Sequence, residues 1–283
     1  MVRWFKNLEN KSSVKFIEFE IKSFYPNISR DLLSKAFYWL STMADIPEDL
    51  IMHARKSILV NGSDIWVKKG GDLFDVTMGA FDGAEVCDIV GFYLLAQLTH
   101  LPIKGGLYRD DALFASSLPP KQVHKVMEEI IAIFASNNLQ LKAKCNSTFV
   151  NFLDVTFDLK SGNFMPYRKP GTTVEYLHMD SNHPRHVTKN TVAKVNKRLS
   201  DLSSTKEIFD NAKVVHEEAL LRAGNKEKLV YKPEEERTAR RRTRRRQLIW
   251  LNPPYCMSVE TKMKFKFWKL DRARRDFVRL TSF

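Results

Sequence analysis

The feature that most constrains this chain is an acidic pair set between two apolar runs. The pair is Asp110 and Asp111, it lies within Leu107–Phe114, and the glycines Gly105 and Gly106 come directly before. Two apolar runs joined by a short polar break predict a β-hairpin, whose bend projects both carboxylates to one place. Taken alone, an Asp-Asp pair at a bend is more often a solvated turn.

A third acidic residue, Glu20, ends an apolar run earlier in the chain. The alternating segment Phe16–Ile21 predicts a strand with Glu20 near its end, and Tyr25 follows five residues later. Phosphoryl transfer uses two divalent cations about 4 Å apart, and Mg²⁺ takes carboxylate oxygens as ligands. A third carboxylate from a strand next to the hairpin completes such a site. The two features together predict a candidate metal site.

Apolar periodicity predicts the elements around these motifs. Helices are predicted at Ser29–Met43, with Ser29 as its cap, at Ala84–Leu98, at Lys121–Ser136 and over 190–221. Strands are predicted at Ile65–Val67, Phe74–Val76, Leu139–Leu141 and Val150–Phe157. The composition changes near residue 190, so we expect a first part at residues 1–189 and a helical, basic part at 190–283.

Charge and cysteine content limit the class of function. The chain carries 46 Lys and Arg against 33 Asp and Glu, a formal charge of +13. This excess favours a polyanionic partner, most often nucleic acid and less often an anionic membrane. The three separated cysteines favour a reducing compartment. With no transmembrane stretch or secretion signal in the sequence, we expect an intracellular protein, nuclear or cytoplasmic, without a membrane partner or an obligate protein partner.

Basic residues cluster at two places. Seven arginines fall between Arg237 and Arg246, and such a run predicts phosphate contact, a nuclear-localisation signal or a solvated linker. The nucleic-acid contacts predicted in this run are Arg240, Arg241, Arg242, Arg244, Arg245 and Arg246. Tyr167, Arg168 and Lys169 combine a ring with two cations, which suits a primer-grip-like contact or an ordinary hairpin edge.

In this order, the motifs resemble the palm and thumb of reverse transcriptases from eukaryotic retroelements. The segments that carry the resemblance are Phe19–Pro26, Met78–Ala84, Tyr108–Asp111, Phe152–Phe157, Tyr167–Pro170 and Ser181–Pro184. The last three look most like Penelope-like elements, and the resemblance spans about residues 14–260. It implies an α+β fold: a palm whose antiparallel sheet packs on helices, followed by a mainly helical thumb.

The resemblance also implies a metal set. Two Mg²⁺ ions would be bound by Glu20, Asp110 and Asp111, with the backbone carbonyl of Ile21 as a further ligand. Asp110 would be the catalytic ligand of the hairpin pair. This chain departs from the family at Glu20, where the family has aspartate.

Four further residues acquire roles by resemblance. Tyr25 would clash with a 2′-hydroxyl, Gly79 would let the backbone approach template and nucleotide, and Lys142 or Lys144 would protonate the leaving pyrophosphate. The alternatives are a core tyrosine, a turn glycine and solvated strand lysines.

The implied activity is RNA-directed DNA polymerisation: transfer of dNMP from a dNTP to a primer 3′-hydroxyl on an RNA template. Only 19 residues precede Glu20, so we expect the family's fingers to be missing or truncated and the enzyme to be weakly active or inactive. Two other hypotheses stay open, a non-catalytic nucleic-acid-binding relic of a retroelement and a two-metal nuclease.

Overall fold

The structure is a computed structural model that describes residues 1–43, 76 and 83–233, together with the strand assignments of 58–61, 64–67, 249–250 and 280–281. The chain divides into two units, Met1–Tyr167 and Arg168–Phe283. This division precedes the boundary at residue 189 that the sequence predicts.

Helices and strands alternate in the first unit. Its elements are α1 (Val2–Lys6), β1 (Lys15–Ile21), α2 (Phe24–Asn27), α3 (Arg30–Ser41), β2 (Ile58–Asn61), β3 (Asp64–Val67), α4 (Gly83–Gln97), β4 (Lys104–Tyr108), β5 (Asp111–Ser116), α5 (Pro120–Ser136), β6 (Leu141–Ser147), β7 (Phe149–Phe152), β8 (Val155–Asp158) and β9 (Phe164–Pro166). In the second unit, the elements are α6 (Arg185–Lys189), α7 (Thr191–Asp201), α8 (Lys206–Arg222), β10 (Ile249–Trp250) and β11 (Leu280–Thr281).

The central sheet of the first unit is antiparallel, with strand order β4-β5-β1-β6. β1 lies inside the sheet because β5 and β6 pair with its two edges. Its side chains alternate: Ile17, Phe19 and Ile21 are buried, while Glu18 is half-buried and Glu20 exposed. One face of the sheet therefore belongs to the core, and the other presents carboxylates.

Helices α3, α4 and α5 contribute to the same core as the apolar face of β1. Phe19 stacks on Phe114 with ring centroids 5.8 Å apart and meets Phe134 of α5 edge-on at 5.3 Å. The helix predicted from Ser29 is confirmed, and the Leu32 N–H donates to the Ser29 hydroxyl at 3.0 Å. An antiparallel sheet packed on helices confirms the α+β class.

Three predicted elements are wrong in their extent. The strand expected at Leu139–Leu141 starts only at Leu141 and continues to Ser147 as β6. The single strand expected over Val150–Phe157 is two paired strands, β7 and β8, because Leu153 adopts a left-handed φ of 54° and turns the chain. The helical run expected over 190–221 breaks after Asp201. A new helix, α8, starts behind Thr205, whose hydroxyl accepts from the Ile208 N–H at 3.3 Å.

The early unit boundary follows from contacts made by the segment after Tyr167. The Arg222 side chain donates to the Val174 carbonyl at 3.1 Å, and the Met179 N–H donates to the Ala223 carbonyl at 3.0 Å. These bonds attach the segment to the end of α8. Among the residues that the structure describes, none of the helices combines the length and the apolar character that a bilayer span requires.

Candidate active site

Strand register places two of the candidate carboxylates side by side. In the β1–β5 pair, Glu20 lies opposite Asp111. Directly opposed residues of an antiparallel pair point to the same face, with Cβ atoms about 4.5–5.5 Å apart. Glu20 is exposed and Asp111 is half-buried. The solvent face of the sheet thus carries two neighbouring carboxylates.

The hairpin bend is tied to the end of β1. The Ile21 N–H donates to the Asp110 carbonyl at 2.8 Å. Tyr108 pairs with Asp111, so Arg109 and Asp110 form a two-residue bend, and Arg109 has a left-handed φ of 58°. A positive φ at the first bend position is the type II′ pattern of tight hairpins. The sequence prediction of a hairpin at this position is confirmed.

The third predicted carboxylate is that of Asp110. Asp110 lies at the bend, and across the described ranges 1–43, 76 and 83–233 no three or more His, Cys, Asp or Glu side chains converge closely enough to hold a metal ion. Mg²⁺ is usually held by one or two carboxylates with phosphates and water. The donor chemistry of Glu20 and Asp111 therefore fits one such ion, and the two-ion set stays a prediction.

Two lysines face these acids from β6. Lys142 lies opposite Glu20 and Lys144 lies opposite Glu18. Lys144 Nζ is 3.2 Å from Glu18 Oε1, so this lysine already has a carboxylate partner. Opposite charges on one sheet face offset the repulsion between neighbouring carboxylates.

A surface groove crosses this face of the sheet. Its polar and apolar walls include Glu18, Glu20, Asp111, Lys142, Lys144, Asn151, Phe152 and Leu153. Asn151 and Leu153 were not predicted as site residues. They reach the groove because the chain turns at Leu153, and no glycine or proline marks that turn in the sequence.

Tyr25 also lies near the hairpin. Its ring is half-buried and meets Phe24 edge-on at 6.1 Å. Burial raises the pKa of Tyr25, negative charge on Cys87 and Asp110 adds to the rise, and the positive charge of Arg109 lowers it. The phenol therefore stays protonated at neutral pH.

The remaining predicted contacts are not among the residues that line the groove, and some of them lie outside the described residues. Tyr167 is half-buried, and its N–H donates to the Asp154 carbonyl at 2.8 Å. Arg168 and Lys169 are exposed at the start of the second unit. Gly79 and the arginines of 240–246 lie outside the described residues.

No protein-family model and no curated protein matches this chain. Among solved structures, telomerase from Candida albicans in complex with a TWJ fragment of telomeric RNA is 12% identical over 78% of this chain and 41% of that one, with a TM-score of 0.47. Apo telomerase from Candida tropicalis is 12% identical over 79% and 45%, with a TM-score of 0.46. A form of the latter truncated from its C-terminal domain is 13% identical over 59% and 39%, with a TM-score of 0.43.

This chain spans less than half the length of these telomerase chains.

Proposed function

We propose that this chain is the palm and thumb part of an RNA-directed DNA polymerase of the reverse-transcriptase type, derived from a retroelement and most similar to Penelope-like elements. One observation carries the proposal: the β1–β5 register sets Glu20 opposite Asp111, and the hairpin bend is bonded to Ile21. The order of motifs in the sequence predicts that Glu20 lies beside the aspartates of the hairpin. A hairpin bend that served only as a solvated turn would not require this pairing.

Glu20 and Asp111 would hold Mg²⁺ on the open face of the sheet, with Asp110 and the Ile21 carbonyl as further proposed ligands. A bound Mg²⁺ lowers the pKa of a primer 3′-hydroxyl and neutralises charge on a triphosphate. The Asp110 side chain at the bend would help to bind the Mg²⁺, and a lysine of β6 would supply the proton.

Lys142 is the better candidate for protonating the leaving pyrophosphate. It lies opposite Glu20, whereas Lys144 is engaged by Glu18 at 3.2 Å. An ammonium group that faces the groove can donate a proton to a phosphate oxygen as negative charge develops there. Tyr25 would exclude a 2′-hydroxyl, and Gly79 would allow close backbone approach to the nucleotide.

The formal charge of +13 supports a nucleic-acid partner. We assign an RNA template, a DNA primer and dNTPs as the ligands, with Tyr167, Arg168, Lys169 and the arginines of 240–246 as backbone contacts. Each phosphate neutralised by such cations releases counterions, so binding should weaken steeply with added salt.

A second candidate is the nucleic-acid-binding relic, and the observation that favours it is Glu20, which stands where the family that the chain resembles has aspartate. Such a relic would keep the basic residues that bind nucleic acid and would have lost polymerase activity.

Primer extension distinguishes these functions. We expect the purified full chain to extend a 5′-labelled DNA primer on an RNA template with Mg²⁺ and four dNTPs, and to stop at the first position that needs an omitted dNTP. Glu129→Gln, which removes an exposed carboxylate on α5, should extend like the natural chain. Salt-sensitive RNA binding without extension would identify the relic, and cleavage without dNTPs would identify a nuclease.

A further inference from the structure

The extended segment after α8 is held in the second unit by side chains and not by regular structure. This segment, the strap, comprises residues 228–232 with the sequence Lys-Leu-Val-Tyr-Lys, and it belongs to no helix or sheet. Backbone groups outside helices and sheets still need hydrogen-bond partners when they are buried. The partners of the strap therefore show what the surface beneath it recognises.

Two side chains on neighbouring helices pair with the strap backbone. The Asn196 amide of α7 accepts from the Val230 N–H at 2.7 Å and donates to the Val230 carbonyl at 2.9 Å. Glu217 Oε1 of α8 accepts from the Leu229 N–H at 2.8 Å, and Lys228 Nζ lies 3.4 Å from Glu217 Oε2. A side-chain amide that satisfies both backbone groups of one residue pairs with it as a neighbouring strand would.

The far end of the strap is fixed in the same way. The Lys232 N–H donates to the Ser200 hydroxyl of α7 at 3.2 Å, and the Tyr231 hydroxyl donates to the Ser203 carbonyl at 3.3 Å. Asn196 and Ser200 are four residues apart, so they lie on one face of α7. That face therefore carries two of the groups that bind the strap backbone.

The side chains of the strap alternate between the groove and the solvent. Leu229 is 3% exposed and belongs to the same buried apolar cluster as Phe209. The ring centroids of Tyr231 and Phe209 lie 5.4 Å apart. Val230, between the two anchors, is 56% exposed. Pockets for alternate side chains together with backbone pairing are the means by which grooves recognise extended peptides.

We propose that the groove between α7 and α8 is a recognition site for an extended peptide with Leu and Tyr two residues apart, and that the strap is its resident ligand. A partner polypeptide that carries this pattern can enter only when the strap leaves. Residues 223–227 join the strap to α8, and a ligand on so short a tether competes at a high effective concentration. This peptide site goes beyond the proposed function and does not depend on it.

Fluorescence anisotropy with a labelled peptide of the sequence of residues 226–233 tests the site in the full chain. The double variant Leu229→Ser and Tyr231→Ser loses both anchors of the strap, and it should bind the peptide at least about tenfold more tightly than the natural chain does. Adding Asn196→Ala should weaken this binding at least about tenfold, because two hydrogen bonds to the peptide are lost. Adding Asn211→Ala instead, the same change at an exposed position of α8, should leave it unchanged.

Two altered peptides test the pattern that the groove recognises. A peptide with serine in place of both Leu and Tyr should not bind. A peptide with serine in place of Val should bind like the original, because Val230 is exposed. Equal binding of the original peptide and the peptide without Leu and Tyr would show a contact made by lysine charge alone, and it would overturn the inference.

Hydrogen exchange in the natural chain tests the same claim without a substitution that could unfold the second unit. Excess original peptide should speed amide exchange in residues 228–232, because it replaces the strap, and the peptide without Leu and Tyr should not. If the double variant does not fold, unchanged exchange in the strap overturns the inference. If it folds, failure to bind the original peptide does so. Either result leaves the proposed polymerase function untouched.

Discussion

Replacing Gly105 by alanine is expected to destabilise the first unit by about 3 kcal/mol or more, a larger effect than most single substitutions have. A Cβ at Gly105 would lie 2.1 Å from the Leu113 carbonyl oxygen and 2.6 Å from the Phe114 Cα. Both are backbone atoms of β5, the strand that pairs with β4, so no side chain can rotate away to relieve the clash. The strands of the hairpin would have to separate.

Gly106→Ala is the matched control, because a Cβ at Gly106 meets no atom within 4 Å. We expect it to change the free energy of unfolding by less than about 1 kcal/mol. Urea unfolding followed by circular dichroism measures both variants against the natural chain. Equal midpoints for the two glycine variants would show that β4 and β5 do not pair in the register observed.

Asp111→Asn is expected to lower the rate of primer extension at least about 100-fold, as loss or misplacement of a group at a reacting centre commonly does. The register places this carboxylate beside Glu20, and an amide cannot supply the same negative charge to a divalent cation. Asp31→Asn is the matched control, since Asp31 is exposed on α3 and pairs with Lys35 at 2.6 Å. It should extend at the natural rate.

Variants of Glu20 test the other carboxylate of the candidate site. Glu20→Gln should lose activity to the same degree as Asp111→Asn, whereas Glu20→Asp, which restores the residue of the family it resembles, should retain extension. Circular dichroism of each variant should match the natural chain, because Glu20 is exposed. Natural rates in both Asp111→Asn and Glu20→Gln would show that these carboxylates take no part in the chemistry.

Local signals explain why much of the first unit could be predicted. Alternating residues mark β1, the Ser29 cap marks the start of α3, and the apolar stripe of Lys121–Ser136 marks α5. Each signal is confined to one helix or one strand. The bend at Leu153 has no such signal, because the left-handed backbone there is not marked by glycine, asparagine or proline.

The unit boundary depends on distant contacts, so periodicity does not reveal it. The segment after Tyr167 has little regular structure, and its place is set by bonds such as Arg222 to the Val174 carbonyl. Residues 48 positions apart make that bond. The change in composition near residue 190 coincides with the start of the longer helices, while the contacts divide the chain after Tyr167.

The sequence motifs predict the acidic residues of the candidate site, but neither its geometry nor the part that Asn151 and Leu153 take in its walls. The motifs predict that Glu20 meets the hairpin, but which aspartate shares its face depends on the strand register and the bend type. The register selects Asp111 as the neighbour of Glu20, while Asp110 bonds to Ile21 through its carbonyl. Arg109 and Tyr25 lie far apart in sequence, yet the charge of each shifts the pKa of the other, and no local pattern predicts that proximity.

Manganese binding measured by electron paramagnetic resonance tests directly whether Glu20 and Asp111 form a cation site. Mn²⁺ reports on an oxygen-ligand site suited to Mg²⁺, and its free signal falls as it binds. We predict saturable binding that Mg²⁺ displaces, that Asp31→Asn keeps, and that Glu20→Gln and Asp111→Asn each abolish. Unchanged Mn²⁺ affinity in both of these last variants would contradict the account.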